Sequence, residues 1–114
     1  MRGIHLIIDG FKCNKERLND KALILAILYQ LPEQIGMKKL SKAVVVKGRG
    51  KPGWTGFVLI ETSHISIHTF TRENYIAIDI FSCKKFNSKQ LIDFFKETFE
   101  IKKMKKWVIK RSSP

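Results

Sequence analysis

The chain has 114 residues, 44% of them hydrophobic, enough for one domain around one core and too few for two. Its 22 Lys and Arg against 10 Asp and Glu give a formal charge of +12, which brings nucleic acid and anionic membrane surfaces into consideration beside a plain basic surface. The longest apolar run, Ala22 to Leu28, is far short of the roughly 20 residues that span a bilayer. GIHLII after Met1-Arg2 lacks a signal-peptide cleavage site, and two cysteines are too few for a disulfide scaffold, so a reducing, cytoplasmic setting is expected.

In chain order, GIHLIID at 3–9 reads as a strand with Ile4, Leu6 and Ile8 on one face and His5 and Ile7 on the other, ended by Gly10. Asn14 or Asn19 is placed to cap a helix through DKALILAILYQL, in which Leu23, Ile27 and Leu28 belong to the buried stripe. Pro32 is expected to kink or restart that helix and Gly36 to close it. A second strand is expected over 38–47, where Ala43, Val44, Val45 and Val46 are almost all β-branched. KGRGKPGWTG then reads as a flexible basic loop, and Phe57 to Ile60 resumes the extended pattern.

The stretch 61–83, ETSHISIHTFTRENYIAIDIFSC, organises the rest. In SHISIHT the β-branched Ile65, Ile67 and Thr69 alternate with His64, Ser66 and His68; in YIAIDIFSC, Ile76, Ile78 and Ile80 alternate with Ala77, Asp79 and Phe81. Thr71, Arg72, Glu73 and Asn74 suit a turn, which predicts an antiparallel hairpin. Asn87 or Ser88 is then placed to cap SKQLIDFFKETF, with Leu91, Phe94, Phe95 and Phe99 at helical spacing. A last strand near Met104–Ile109 is flanked by lysines, as suits an edge, and the tail RSSP is expected to fray. These elements predict an α+β fold: a two-layer sandwich of one antiparallel or mixed sheet with two helices on one face. The face bearing His64, Ser66, His68, Phe70, Asp79, Phe81 and Cys83 would have no cover from this chain, and a twofold dimer of face-to-face sheets, an αββα sandwich, is the economical solution.

A metal held by His64, His68 and Cys83 is not expected, because four residues along a strand span roughly 13 Å and the two histidines cannot share an ion. Either histidine alone is as well explained by hydrogen bonds to its neighbours, and Cys83 alone by packing as a small hydrophobe.

ETSHISIHTF followed by YIAIDIFSC resembles the bacterial and archaeal S-adenosylmethionine decarboxylases, small enzymes made as self-cleaving proenzymes. GIHLIIDG and WTGFVLI extend the likeness over most of the chain. The resemblance implies that residues 1–114 form one such domain, cleaved between Thr62 and Ser63 into a β chain, 1–62, and an α chain, 63–114. It implies that Ser63 becomes a covalent pyruvoyl group after its hydroxyl attacks the preceding carbonyl, that His68 is the base assisting the cleavage, and that Thr55 is a processing hydroxyl. The pyruvoyl ketone would form a Schiff base with the substrate amine and act as the electron sink, with Cys83 returning a proton to carbon. Phe70 suits stacking on adenine, and Glu73 and Asp79 are the acids available to a cationic substrate. The partners so implied are a small molecule, S-adenosylmethionine or a cationic amino acid, and a second copy of the chain, with no membrane. The product would be the aminopropyl donor of spermidine synthesis.

Two positions depart from the family pattern. Thr62 stands where glutamate usually precedes the serine, with Glu61 one place earlier, and HTFTRE puts Arg72 where the ribose-binding glutamate is found, with Glu73 next. Thr62 therefore keeps a non-cleaving, non-catalytic partner subunit among the readings, and Arg72 keeps an arginine decarboxylase of the same family. A nucleic-acid module on the basic residues 47–51 and 102–111 ranks last, for want of an aromatic platform among them.

Overall fold

The computed structural model describes residues 2–113. Six strands form one sheet in the order β2-β3-β4-β5-β1-β6: β1 (Arg2–Phe11), β2 (Val44–Lys47), β3 (Trp54–Ile60), β4 (Ser63–Phe70), β5 (Tyr75–Ser82) and β6 (Lys103–Ser112). Every pairing is antiparallel, which settles the choice between an antiparallel and a mixed sheet. The predicted hairpin is β4–β5 in the register Phe70↔Tyr75, and Asn74 closes its turn at φ 53, a conformation asparagine tolerates.

Period-2 patterning decides which face is buried. Leu6, Ile8, Val58, Ile65, Ile67, Ile76, Ile78 and Ile80 are wholly buried and point to the helices. Against them pack α2 (Lys21–Gln34), through Ile24, Leu28 and Leu31, and α3 (Ser88–Phe99), through Leu91, Phe95 and Phe99. A short helix, α1 (Lys15–Leu18), adds Leu18 to the same core. The α+β sandwich is thus as expected, with one helical turn more than the sequence suggested.

Several local expectations are corrected. Asn14 caps α1, and Asp20 rather than Asn19 caps α2, its carboxylate accepting the Leu23 N–H at 3.0 Å. Asn87 caps α3. Pro32 neither breaks nor restarts α2: it sits in the last turn, where its missing N–H costs one bond and the helix is about to end. The strand expected over 38–47 shrinks to Val44–Lys47, because residues 39–41 meet β3 only through a bridge from Lys39 to Ile60, bonds from the Leu40 and Ser41 N–H groups to the Leu59 carbonyl, and a bond from the Leu59 N–H to the Ser41 hydroxyl. The last strand is longer than expected, since β1 offers a full partner from Phe11↔Lys103 to Arg2↔Ser112. Arg111 and Ser112 of the tail expected to fray therefore lie in the ladder, and Pro114 is outside the described residues.

The basic loop between β2 and β3 is closed by a bond from Gly48 N–H to Gly53 carbonyl at 3.0 Å and receives the Thr71 N–H on Pro52. Gly53 has φ 146, and a Cβ there would lie 1.8 Å from the Thr69 carbonyl oxygen, so only glycine fits this approach of β3 to β4. No helix among the described residues is long and apolar enough to cross a membrane.

Candidate active site

The turn between β3 and β4 consists of Glu61 and Thr62, bounded by the pair Ile60↔Ser63. Thr62 has φ 56, a left-handed conformation that a β-branched side chain adopts at a cost of roughly 1–3 kcal/mol. Its hydroxyl donates to the Glu61 carbonyl at 2.6 Å and meets the Cys83 sulfur. Ser63 opens β4, buried to 7% exposure; its Oγ accepts the Cys83 N–H at 3.1 Å and lies 3.9 Å from Cys83 Sγ. The three residues form one cluster at one end of the sheet, since the β4–β5 pairing carries the residue after Ser82 back beside Ser63.

The electrostatics of the two thiols differ. Cys83 is held below the ordinary thiol range, chiefly by its hydrogen bond with Thr62, with help from Ser63, its own backbone and the Lys84 charge. Cys13 is buried in the core, and burial pushes its thiol up to about 11. Depressed pKa and partial exposure are the conditions under which a thiol is chemically active.

A second cluster lies along the uncovered face. Thr55 Oγ1 and His68 Nδ1 are 3.2 Å apart on directly paired residues of β3 and β4. His68 is five residues from Ser63, roughly 17 Å along the strand, and belongs to the opposite face from the Ile65 and Ile67 side. Within one chain, then, the Thr55–His68 pair does not meet the Thr62–Ser63–Cys83 group. Phe70 is further still: it stacks on Tyr75 at 5.2 Å, which stacks on Phe11 at 5.3 Å, forming an aromatic ladder at the far end of the sheet. Glu73 lies in the turn beyond it, beside Arg72.

Asp79 stands between the clusters on β5 and is bonded at 3.1 Å by His5 Nε2 from β1. His64 packs on Phe57 at 5.7 Å and near His5 at 6.5 Å; burial, then the His5 charge, lower its pKa. Tyr75 donates to Asp9 at 2.7 Å, and burial pushes its phenol up to about 12. By alternation the sequence puts Tyr75 on the same face as Asp79 and Phe81 without giving it a role, and it gives His5 and Asp9 no part in this face. The one signal for them, parity across β1 and β5, requires knowing that the first strand pairs with the fifth.

Residues 4–112 match the family described as S-adenosylmethionine decarboxylase. The chain belongs to this family. A protein of Clostridium botulinum named S-adenosylmethionine decarboxylase proenzyme is 38% identical over 104 residues, 90% of this chain and 87% of that one. A Synechococcus protein of the same name is 34% identical over 84 residues, 73% of this chain and 63% of that one. The crystal structure of the adenosylmethionine decarboxylase from Aquifex aeolicus superposes with a TM-score of 0.80 at 24% identity, covering 98% of this chain and 92% of that one. It shares the fold. Membership in the S-adenosylmethionine decarboxylase family accounts for the extent of the likeness from β1 to β6 and makes a decarboxylase the activity to be explained.

Proposed function

We propose that this chain is an S-adenosylmethionine decarboxylase made as a proenzyme, and that it cleaves itself between Thr62 and Ser63 to generate a pyruvoyl group. The observation that carries this reading is the packing of the strained Thr62–Ser63 peptide against Cys83 in a member of this family. Neither an arginine decarboxylase nor a non-cleaving homologue has such an observation in its favour.

Ser63 fits the conversion. It directly follows the strained residue, and the Cys83 N–H fixes its hydroxyl oxygen, limiting the rotamers it samples before attack on the Thr62 carbonyl carbon. That attack exchanges an amide for an ester, and elimination of the ester splits the chain; strain at Thr62 is released when the peptide is cut. Once formed, the pyruvoyl group supplies a ketone to condense with the substrate amine and an acceptor for the electrons left when carbon dioxide departs. Cys83 then holds the proton that replaces the carboxylate, and its lowered pKa makes it a ready acid.

The separation of His68 from Ser63 calls for a second copy. In the proposed dimer, two uncovered faces pack together in an αββα sandwich, and each site combines Ser63 and Cys83 of one copy with Thr55, His68 and Phe70 of the other. This arrangement is supported by exposed apolar side chains on that face, among them Val44 at 53%, Leu59 at 48%, Trp107 at 45% and Ile109 at 45%. His68 would serve as the processing base, with Thr55 as its hydroxyl partner. Asp79 and Glu73 would offset the positive charge of the sulfonium.

The function is tested by release of labelled carbon dioxide from carboxyl-labelled S-adenosylmethionine, with carboxyl-labelled arginine as the second substrate. Release from the first alone is expected. Release from arginine alone would replace the substrate, and release from neither would remove the enzyme reading.

A further inference from the structure

Beside Cys83, the ends of β1, β5 and β6 enclose a cavity of about 420 Å³ that no step described so far uses. Five basic residues line it, Arg2, Lys84, Lys85, Lys110 and Arg111, and no acidic one. Their convergence follows from the register, which sets Arg2 opposite Ser112, Gly3 opposite Arg111 and Ile4 opposite both Lys110 and Ser82. The two ion pairs found among the described residues, His5–Asp79 and Lys89–Asp93, involve none of the five. Arg111 is held with its guanidinium 4.8 Å over the Phe81 ring, and Lys84 donates to the Gly36 carbonyl at 3.0 Å, so part of this charge is fixed in place. Like charges gathered in this way repel one another, and an anion in the cavity would relieve that repulsion.

We infer that this cavity receives the α-carboxylate of the substrate, with Lys85, Lys110 and Arg111 orienting it beside Cys83. The inference rests on the decarboxylase reading above. Its chemical logic is that one carbon carries the departing carboxylate and accepts the replacing proton, so the carboxylate must start within reach of the proton donor, and Cys83 lines the cavity. The electrostatics orient the ligand as well. The substrate's carboxylate end is drawn to the basic cavity, while its sulfonium is repelled from it toward the face that carries Asp79. A protein of charge +12 thereby accepts a ligand of net positive charge by reading its dipole.

The test compares the Michaelis constant for S-adenosylmethionine with the inhibition constant of its decarboxylated product, in the processed wild type and in a triple variant Lys85→Met, Lys110→Met, Arg111→Gln. All three side chains are exposed, and an unchanged circular dichroism spectrum and processed mass would certify the variant. The variant is expected to raise KM about tenfold, to leave the product's inhibition constant within twofold and to alter kcat little, because charge-assisted bonds to the carboxylate are lost while the groups that would hold the rest of the substrate are kept. Equal weakening of substrate and product, or of neither, would overturn the inference. Relief of inhibition by inorganic phosphate with no change in KM would also overturn it, marking the cavity as a general anion site. A wild type that cleaves and turns over while the variant behaves identically sinks this inference alone, whereas a wild type with no turnover sinks the decarboxylase reading beneath it.

Discussion

At the scale of single residues, the chain separates its two thiols by environment. Cys83 sits beside hydrogen-bond donors and positive charge, and Cys13 sits among hydrocarbon. Because the thiolate is the nucleophile, alkylation by iodoacetamide of the protein kept uncleaved by Ser63→Ala should modify Cys83 alone, with a pH midpoint below that of an ordinary thiol. Thr62→Val should move that midpoint upward, since the Thr62 hydroxyl is its main cause; mapping of the adduct by peptide mass gives the answer, and an unmoved midpoint would remove Thr62 from this part. In the enzyme, a lowered thiol pKa has the opposite sign for proton return. The protonated form is lost as pH rises through the depressed value, so kcat should fall on the alkaline side earlier than a free thiol would predict. Cys83→Ala should still cleave and should decarboxylate poorly or protonate the wrong carbon. Full activity in that variant would leave the proton donor unassigned.

At the scale of elements, the close approach of β3 and β4 depends on Gly53, and the cover of the sheet depends on α3. Gly53→Ala should lower stability by at least about 1–3 kcal/mol, the scale of a strained backbone, with the Thr69 clash in addition. Phe95→Ala, at a fully buried ring, should cost about 3–5 kcal/mol; urea unfolding measures both. Phe95 was legible in the sequence because helical spacing of Leu91, Phe95 and Phe99 leaves little choice of face, although Phe94, expected in the same stripe, lies at its exposed edge; the β4–β5 hairpin was legible because its isoleucines alternate without a break. Strand β2 was less legible at its start, since the β-branched run begins only at Val44, residues 38–43 carry no β-branched side chain, and only Val44–Lys47 find a ladder partner. The cap of α2 was missed for a different reason: Asn19 and Asp20 are both good caps, and only the tertiary position of Asn19, whose side chain and carbonyl accept the Trp54 indole N–H, decides between them.

At the scale of the whole molecule, the site residues named from family resemblance fall into two groups that one chain cannot bring together. Sequence motifs give residue types in order along a strand; they do not say that Ser63 and His68 stand roughly 17 Å apart on opposite faces. A composite dimer predicts complementation. Co-expression of Ser63→Ala with His68→Ala should restore activity to about a quarter of wild type, because random pairing makes half the dimers mixed and each mixed dimer has one intact site. Either variant expressed alone should be inactive. Sites contained within single chains would give no recovery.

The central claim, self-cleavage at Thr62–Ser63, is read most directly from the intact mass of the purified protein under denaturing conditions. Two fragments are expected, residues 1–62 and 63–114, the second lacking a free amino terminus. A single chain with the mass of all 114 residues would contradict it.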